Sequence, residues 1–183
     1  STIGGGRGNA ARGFSSTVPG GQSNLAQGDF SFAAGRNAKS QHLGSFVWGD
    51  STDADFLSTG DNQFLIRASG GVGIGTNSPL ARLEIQGGGD ANGDNDPKAI
   101  ALSYTTGGFR HWIRTRPSAA PAAGAGNAID FFVNRSSFAE TSSKPGTGNV
   151  HVMTLDSGKV GVGTTAPLGR LQVVTEPDTH PSI

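Results

Sequence analysis

Arg110, Trp112, Arg114 and Arg116 alternate along the segment Phe109 to Arg116, which places an indole and three guanidinium groups on one face of an extended chain. An indole can stack on the apolar face of a sugar ring. A guanidinium hydrogen-bonds hydroxyls or pairs with carboxylate and phosphate. With Tyr104, at the end of the strand-like segment Ala99 to Tyr104, these are the candidate ligand-binding residues, and a glycan is a ligand they suit. The same residues serve a purely structural purpose if the strand faces a neighbouring chain and its arginines pair with Asp130, Glu140 or backbone carbonyls.

Other chemistry is weaker. Asp90, Asn92, Asp94 and Asp96 alternate around Gly93, as oxygen ligands do in a calcium loop. The closing glutamate of that signature is missing, so a solvated acidic turn is the plainer reading. Asp50, Asp53 and Asp55 repeat the idea more faintly. His42, His111, His151 and His180 are scattered, with no pair at metal-ligand spacing. No metal is expected. Asp130 and Glu140 could serve glycan hydrolysis by residue type alone. The chain has no cysteine nucleophile and no Gly-x-Ser-x-Gly elbow. The run Gly71-x-Gly73-x-Gly75-Thr76 invites comparison with a phosphate-cradling loop. Its spacing differs from Gly-x-Gly-x-x-Gly, Pro79 follows, and no helical pattern comes after it. The expectation is a protein without catalysis and without cofactor.

The scaffold that must hold these residues is unusual in composition. Of 183 residues 30 are glycine, more than twice the ordinary share of roughly 7%. Charged residues make up 15% and apolar residues 34%. At about 25 cal/mol per Å² of apolar surface buried, small side chains give a weak core, and glycines lose the most backbone entropy on folding. Burial must come from repetition and self-association. The formal net charge of zero argues against a nucleic-acid partner. No run of about 18 apolar residues is present, so no membrane insertion is expected.

Repetition is visible at once. Ser1-Thr2-Ile3 returns as Ser16-Thr17-Val18, and Gly5-Gly6-Arg7-Gly8-Asn9 as Gly20-Gly21-Gln22-Ser23-Asn24, at a period of 15 residues. A degenerate third copy carries Gly35, Asn37 and Ala38, and the series closes at Phe46-Val47-Trp48-Gly49-Asp50. So short a period suits a coil of parallel β structure with two short strands and two turns. The pattern Asn9-x-Ala11-x-Gly13, Asn24-x-Ala26-x-Gly28 resembles the head repeats of trimeric autotransporter adhesins over residues 1 to 52. The resemblance implies a left-handed parallel β-roll, three chains to a head.

A second duplication, at an offset of 88 residues, joins Gln63–Ile85 to His151–Val173. Each copy reads as strand, Ser-Gly turn, short strand, proline turn, strand. The text Val72-Gly73-Ile74-Gly75-Thr76-x-x-Pro79 and Val160-Gly161-Val162-Gly163-Thr164-x-x-Pro167 resembles the connector modules of phage tail fibres and of related bacterial trimeric fibres, including those of predatory bacteria. The resemblance covers residues 60 to 86 and 148 to 175, and implies connectors in which three chains wrap a common axis without chemistry.

The expected architecture is all-β: a parallel homotrimer with a β-roll head over residues 1–52, a connector over 53–86, a small antiparallel sandwich or jelly-roll-like domain over 87–150, and a second connector and tail over 151–183. The expected function is a segment of an extracellular trimeric fibre that presents the 87–150 domain to a glycan or other envelope receptor. A shaft without ligand and a glycan-degrading tailspike fragment are the alternatives.

Overall fold

The computed structural model of the chain describes residues 1–86, 100–103, 110–117, 127–134 and 149–175. The described residues are strands and turns, with no helix among them. They belong to two compact units, Ser1–Ile85 and Gln86–Ile183.

In the first unit the strands are β1 (Thr2–Ile3), β2 (Ala10–Ala11), β3 (Thr17–Val18), β4 (Leu25–Ala26), β5 (Phe32–Gly35), β6 (Ala38–Ser40), β7 (Phe46–Gly49), β8 (Phe56–Leu57), β9 (Phe64–Arg67), β10 (Val72–Ile74) and β11 (Leu83–Ile85). Odd strands β1-β3-β5-β7-β9 form one parallel sheet and even strands β2-β4-β6-β8 a second. Each turn of the chain adds one strand to each sheet, which is a parallel β-roll. Its interior is thin, as the composition requires: Val18, Ala26, Ala33, Ala38 and Val47 are fully buried, with Ala11, Phe56 and Leu65 packed against them.

Small residues let the coils stack. A Cβ on Gly6 would overlap the Gly21 carbonyl oxygen, one on Gly21 that of Gly35, and one on Gly35 that of Gly49. Gly21 and Gly35 both have φ of 90°, a conformation that side-chain-bearing residues rarely adopt. Asparagine supplies the cross-links. Asn24 is buried, and its side-chain amide donates to the carbonyls of Gly20 (2.9 Å) and Gly35 (2.8 Å). Its Oδ1 accepts the backbone N–H of Ala38 (2.9 Å), as Asn9 Oδ1 accepts that of Asn24 (3.0 Å). One buried amide thus ties two neighbouring levels of the roll and satisfies backbone groups that water cannot reach.

The period is not constant. Thr17 pairs with Phe32, 15 residues on, but Phe32 pairs with Phe46 and Leu25 with Lys39, 14 residues on. Asn37 therefore does not occupy the Asn24 position of its coil. It stacks on Ser23 and Gly8, all three with φ near 60°, and Ala38 takes the asparagine slot. The roll also runs on beyond residue 52. Phe46 pairs with Phe64 and Ala38 with Phe56, so residues 53–67 complete a further coil, lengthened to 18 residues by a loop at 50–55.

The connector text folds the same way twice. β10 pairs with β11 in parallel, Val72 with Leu83 and Ile74 with Ile85. In the second unit, β16 (Lys159–Val162) and β17 (Leu171–Val173) pair likewise, Val160 with Leu171 and Val162 with Val173. The loop between them is closed by matched bonds. Thr76 Oγ1 accepts Ser78 N–H and Thr164 Oγ1 accepts Ala166 N–H. Glu84 Oε2 accepts Leu80 N–H at 2.6 Å, and Gln172 Oε1 accepts Leu168 N–H at 2.8 Å. A Cβ on Gly73 or Gly161 would crowd the carbonyl oxygen of Thr76 or Thr164, so these glycines serve loop closure.

The rest of the second unit is β12 (Ile100–Ser103), β13 (Arg110–Pro117), β14 (Asn127–Asn134) and β15 (Asn149–Asp156), joined to β16 and β17 in a six-stranded sheet in sequence order. Every pair is antiparallel except β16-β17. The described strands of this unit form this one sheet.

Candidate functional site

Strand β13 carries the sequence-derived binding residues, and its neighbours decide what they do. Trp112 lies directly opposite Phe132 and Arg114 opposite Asp130. Those four side chains share one face, and that face is covered: Trp112 is 7% exposed, Phe132 6% and Asp130 0%. The guanidinium of Arg114 donates from Nε to Asp130 Oδ2 at 3.1 Å and lies 4.7 Å from the Phe132 ring centroid. Arg114 thus takes the structural option left open by its residue type, pairing with Asp130. Arg110 and Arg116 are placed on β13 by the backbone, their side chains lying outside the described part. Tyr104, the acidic stretch Asp90 to Asp96, Glu140 and His180 also lie outside the described residues.

The network extends onto β15. Thr154, fully buried, donates its hydroxyl to Asp130 Oδ1 at 2.6 Å. His151 Nε2 stands 2.7 Å from that hydroxyl oxygen and 3.9 Å from Asp130 Oδ1. Because the threonine hydrogen goes to the carboxylate, Nε2 must be the donor of the imidazole–hydroxyl bond. The imidazole packs edge-on against Phe132 at 5.5 Å. A bulge between Phe131 and Phe132 brings His151 into register with Phe132. Asp130 is therefore engaged from two sides, by a guanidinium and a hydroxyl, and the arrangement is one that fixes strands in register. His151 and Thr154 carried no signal in the sequence. The pairing of Arg114 with Asp130 was open there only as an alternative, since it depends on a register that no local pattern reveals.

The acidic trio of the first unit is likewise bound up with cations. Asp53 meets Arg36 at 2.7 Å, Asp55 meets Lys39 at 3.4 Å and Asp50 meets Arg67 at 3.0 Å. Among the described residues no three histidine or acidic side chains gather as metal ligands do. Arg67 organises the longest coil: it donates to Asp50, Ala54, Arg36 and Thr52, and lies over the Phe56 ring at 5.2 Å. Hydrogen bonds to Asp50, first of all from the Ser69 backbone N–H at 2.8 Å, hold its carboxyl well below the usual carboxylate range.

A folded-state pKa below the unfolded value of about 3.9 stabilises the native state above that value, and the contribution is lost as pH falls. Asp50→Asn is thus expected to lower Tm at neutral pH, with the difference from the parent protein shrinking below about pH 4. Thermal melts of both proteins across acid pH measure it. A difference that stays constant with pH would show that the charge on Asp50 contributes nothing.

The chain matches no family model, no curated protein and no solved structure. Among the described residues no helix is long and apolar enough to cross a membrane.

Proposed function

We propose that the chain is a segment of a trimeric extracellular fibre, three parallel copies around an axis running along the roll, that projects a recognition surface toward a cell-surface glycan or other envelope receptor. The observation that carries this reading is the matched exposure of apolar residues in the duplicated connector. Leu80 and Leu168 are 93% and 85% exposed, and Leu83, Leu171, Ile85 and Val173 are exposed as well. The same positions stand open in two separate folded settings, so the exposure belongs to the module. In the second unit Ile100, Leu102, Ile129, Val133 and Leu155 are exposed on the strands of the six-stranded sheet. Apolar surface on this scale marks an interaction site. Another copy of the chain, running parallel, meets every such module with its own equivalent. A foreign partner would need several unrelated complementary surfaces.

Three identical sites on one trimer would raise effective affinity by roughly 10²–10⁴ without new contacts. The expected result by multi-angle light scattering is a species of three times the chain mass, and a stable monomer would sink the proposal. The second reading, a shaft segment without ligand, is favoured by one observation: Trp112 is buried and Arg114 is committed to Asp130. A glycan array probed with the assembled protein separates the two, binding supporting presentation and silence supporting the shaft.

A further inference from the structure

The roll has two outer faces, and they differ. On the sheet of odd strands the outward positions follow from the register: Thr2, Thr17, Phe32, Phe46 and Phe64 form one row, Ala34, Trp48 and Ile66 another. No charged residue stands in either row. The three phenylalanines stack with ring centroids 4.5 Å apart at each step. On the sheet of even strands the outward row is Ala10, Leu25, Lys39 and Leu57, in which Lys39 pairs with Asp55. The turns that lead into the odd strands add Phe14, Phe30 and Leu43, all exposed, with Phe14 and Phe30 edge to face at 5.8 Å. Phe30 has φ of 56°, strained for a bulky residue, in a turn whose counterparts are Ser15, Gly44 and Asn62. A large apolar side chain kept exposed at a strained position points to use of that side chain.

We propose that the outer face of the odd-strand sheet is the face that the roll turns toward its symmetry mates, with the even-strand sheet turned to solvent. This rests on the trimer reading above and names the surface involved. The occupant is a second copy of this chain. Exposed apolar side chain on this face comes to roughly 600 Å², taking about 200 Å² for each aromatic and somewhat less for each aliphatic residue. That is most of the about 800 Å² per partner in a specific interface, whose remainder is a polar rim. A three-fold contact is heterologous, so it needs two unlike edges that fit. The face has them. The Phe14–Phe30 corner protrudes on one side, and an apolar groove of about 330 Å³ opens on the other, lined by Gly35, Arg36, Trp48, Gly49, Asp50 and Ser51.

The chain contains no cysteine, so an introduced thiol reports alone. Ile66 on the proposed face and Leu57 on the opposite face are 40% and 42% exposed in the single chain, a matched pair. In the assembled protein, Ile66→Cys is expected to be alkylated by iodoacetamide on the order of tenfold more slowly than Leu57→Cys, since thiol reactivity follows access. In urea the two rates should become equal. Thr17→Cys, a smaller change on the same face, gives the same comparison if Ile66→Cys does not fold. Should scattering show a trimer in which the Ile66 and Thr17 thiols react as fast as that at 57, the face assignment falls and the trimer stands. A monomer in scattering removes both.

Discussion

Gly35→Ala is expected to destabilise the roll by at least about 3 kcal/mol, while Gly20→Ala, in the preceding coil, changes stability by no more than about 0.5 kcal/mol. The contrast comes from where a methyl group would go. At Gly35 it would enter the Gly49 carbonyl oxygen of the next coil, and the backbone is held at φ 90°. Neither obstacle is soft. The carbonyl belongs to a strand end whose oxygen accepts Arg36 N–H at 3.0 Å, and the φ is set by the turn that passes the chain between sheets. Gly20 has no heavy atom within 4 Å of such a methyl and no positive φ, so alanine there removes only unfolded-state freedom. Urea unfolding of both variants at one fixed protein concentration measures the difference, since self-association makes stability concentration-dependent. Equal midpoints for the two would show that coil stacking tolerates a side chain at Gly35.

The positions that define this glycine column are those that made the repeat legible in the first place. Gly6 and Gly21 recur because parallel coils stack backbone on backbone, and Asn9 and Asn24 recur because one side-chain amide serves two neighbouring levels. Where the period slips, local reading fails. Asn37 looks like a third Asn24, yet the 14-residue step puts it at a left-handed turn where asparagine is accepted for its backbone, and Ala38 inherits the core position. The roll's continuation through β8 and β9 was hidden for a related reason. Its coil is swollen by the loop that Arg67 and Asp50 hold, so Phe56 and Phe64 fall off the period while remaining on the ladder. Strand β13 was readable as a strand, and its alternation placed Trp112 and Arg114 on one side. Whether that side is open is a property of β14, β15 and the bulge at Phe131–Phe132, which bring in Asp130, Thr154 and His151 from 16 to 40 positions away.

Arg114→Ala therefore tests what β13 is for. If the guanidinium is a ligand contact, its removal lowers binding and leaves folding alone. The geometry predicts the opposite. Asp130 is fully buried and accepts from Arg114 at 3.1 Å and Thr154 at 2.6 Å. Removing Arg114 takes a guanidinium counter-charge from a buried carboxylate, an imbalance that typically costs about 3–5 kcal/mol. Arg114→Lys keeps the charge but loses the planar fork and the stacking on Phe132, so it should fall between the two. The companion variant identifies the cause. Adding Asp130→Asn to Arg114→Ala removes the stranded charge, and the double variant is expected to be more stable than Arg114→Ala alone, with a coupling of at least about 1 kcal/mol in the double-mutant cycle. A cycle that closes without coupling, with Arg114→Ala as stable as the parent, would return Arg114 to the list of groups available for a ligand. A strong coupling makes the Trp112–Arg114 face a structural seam, and any receptor contact of this unit must then be sought elsewhere on it.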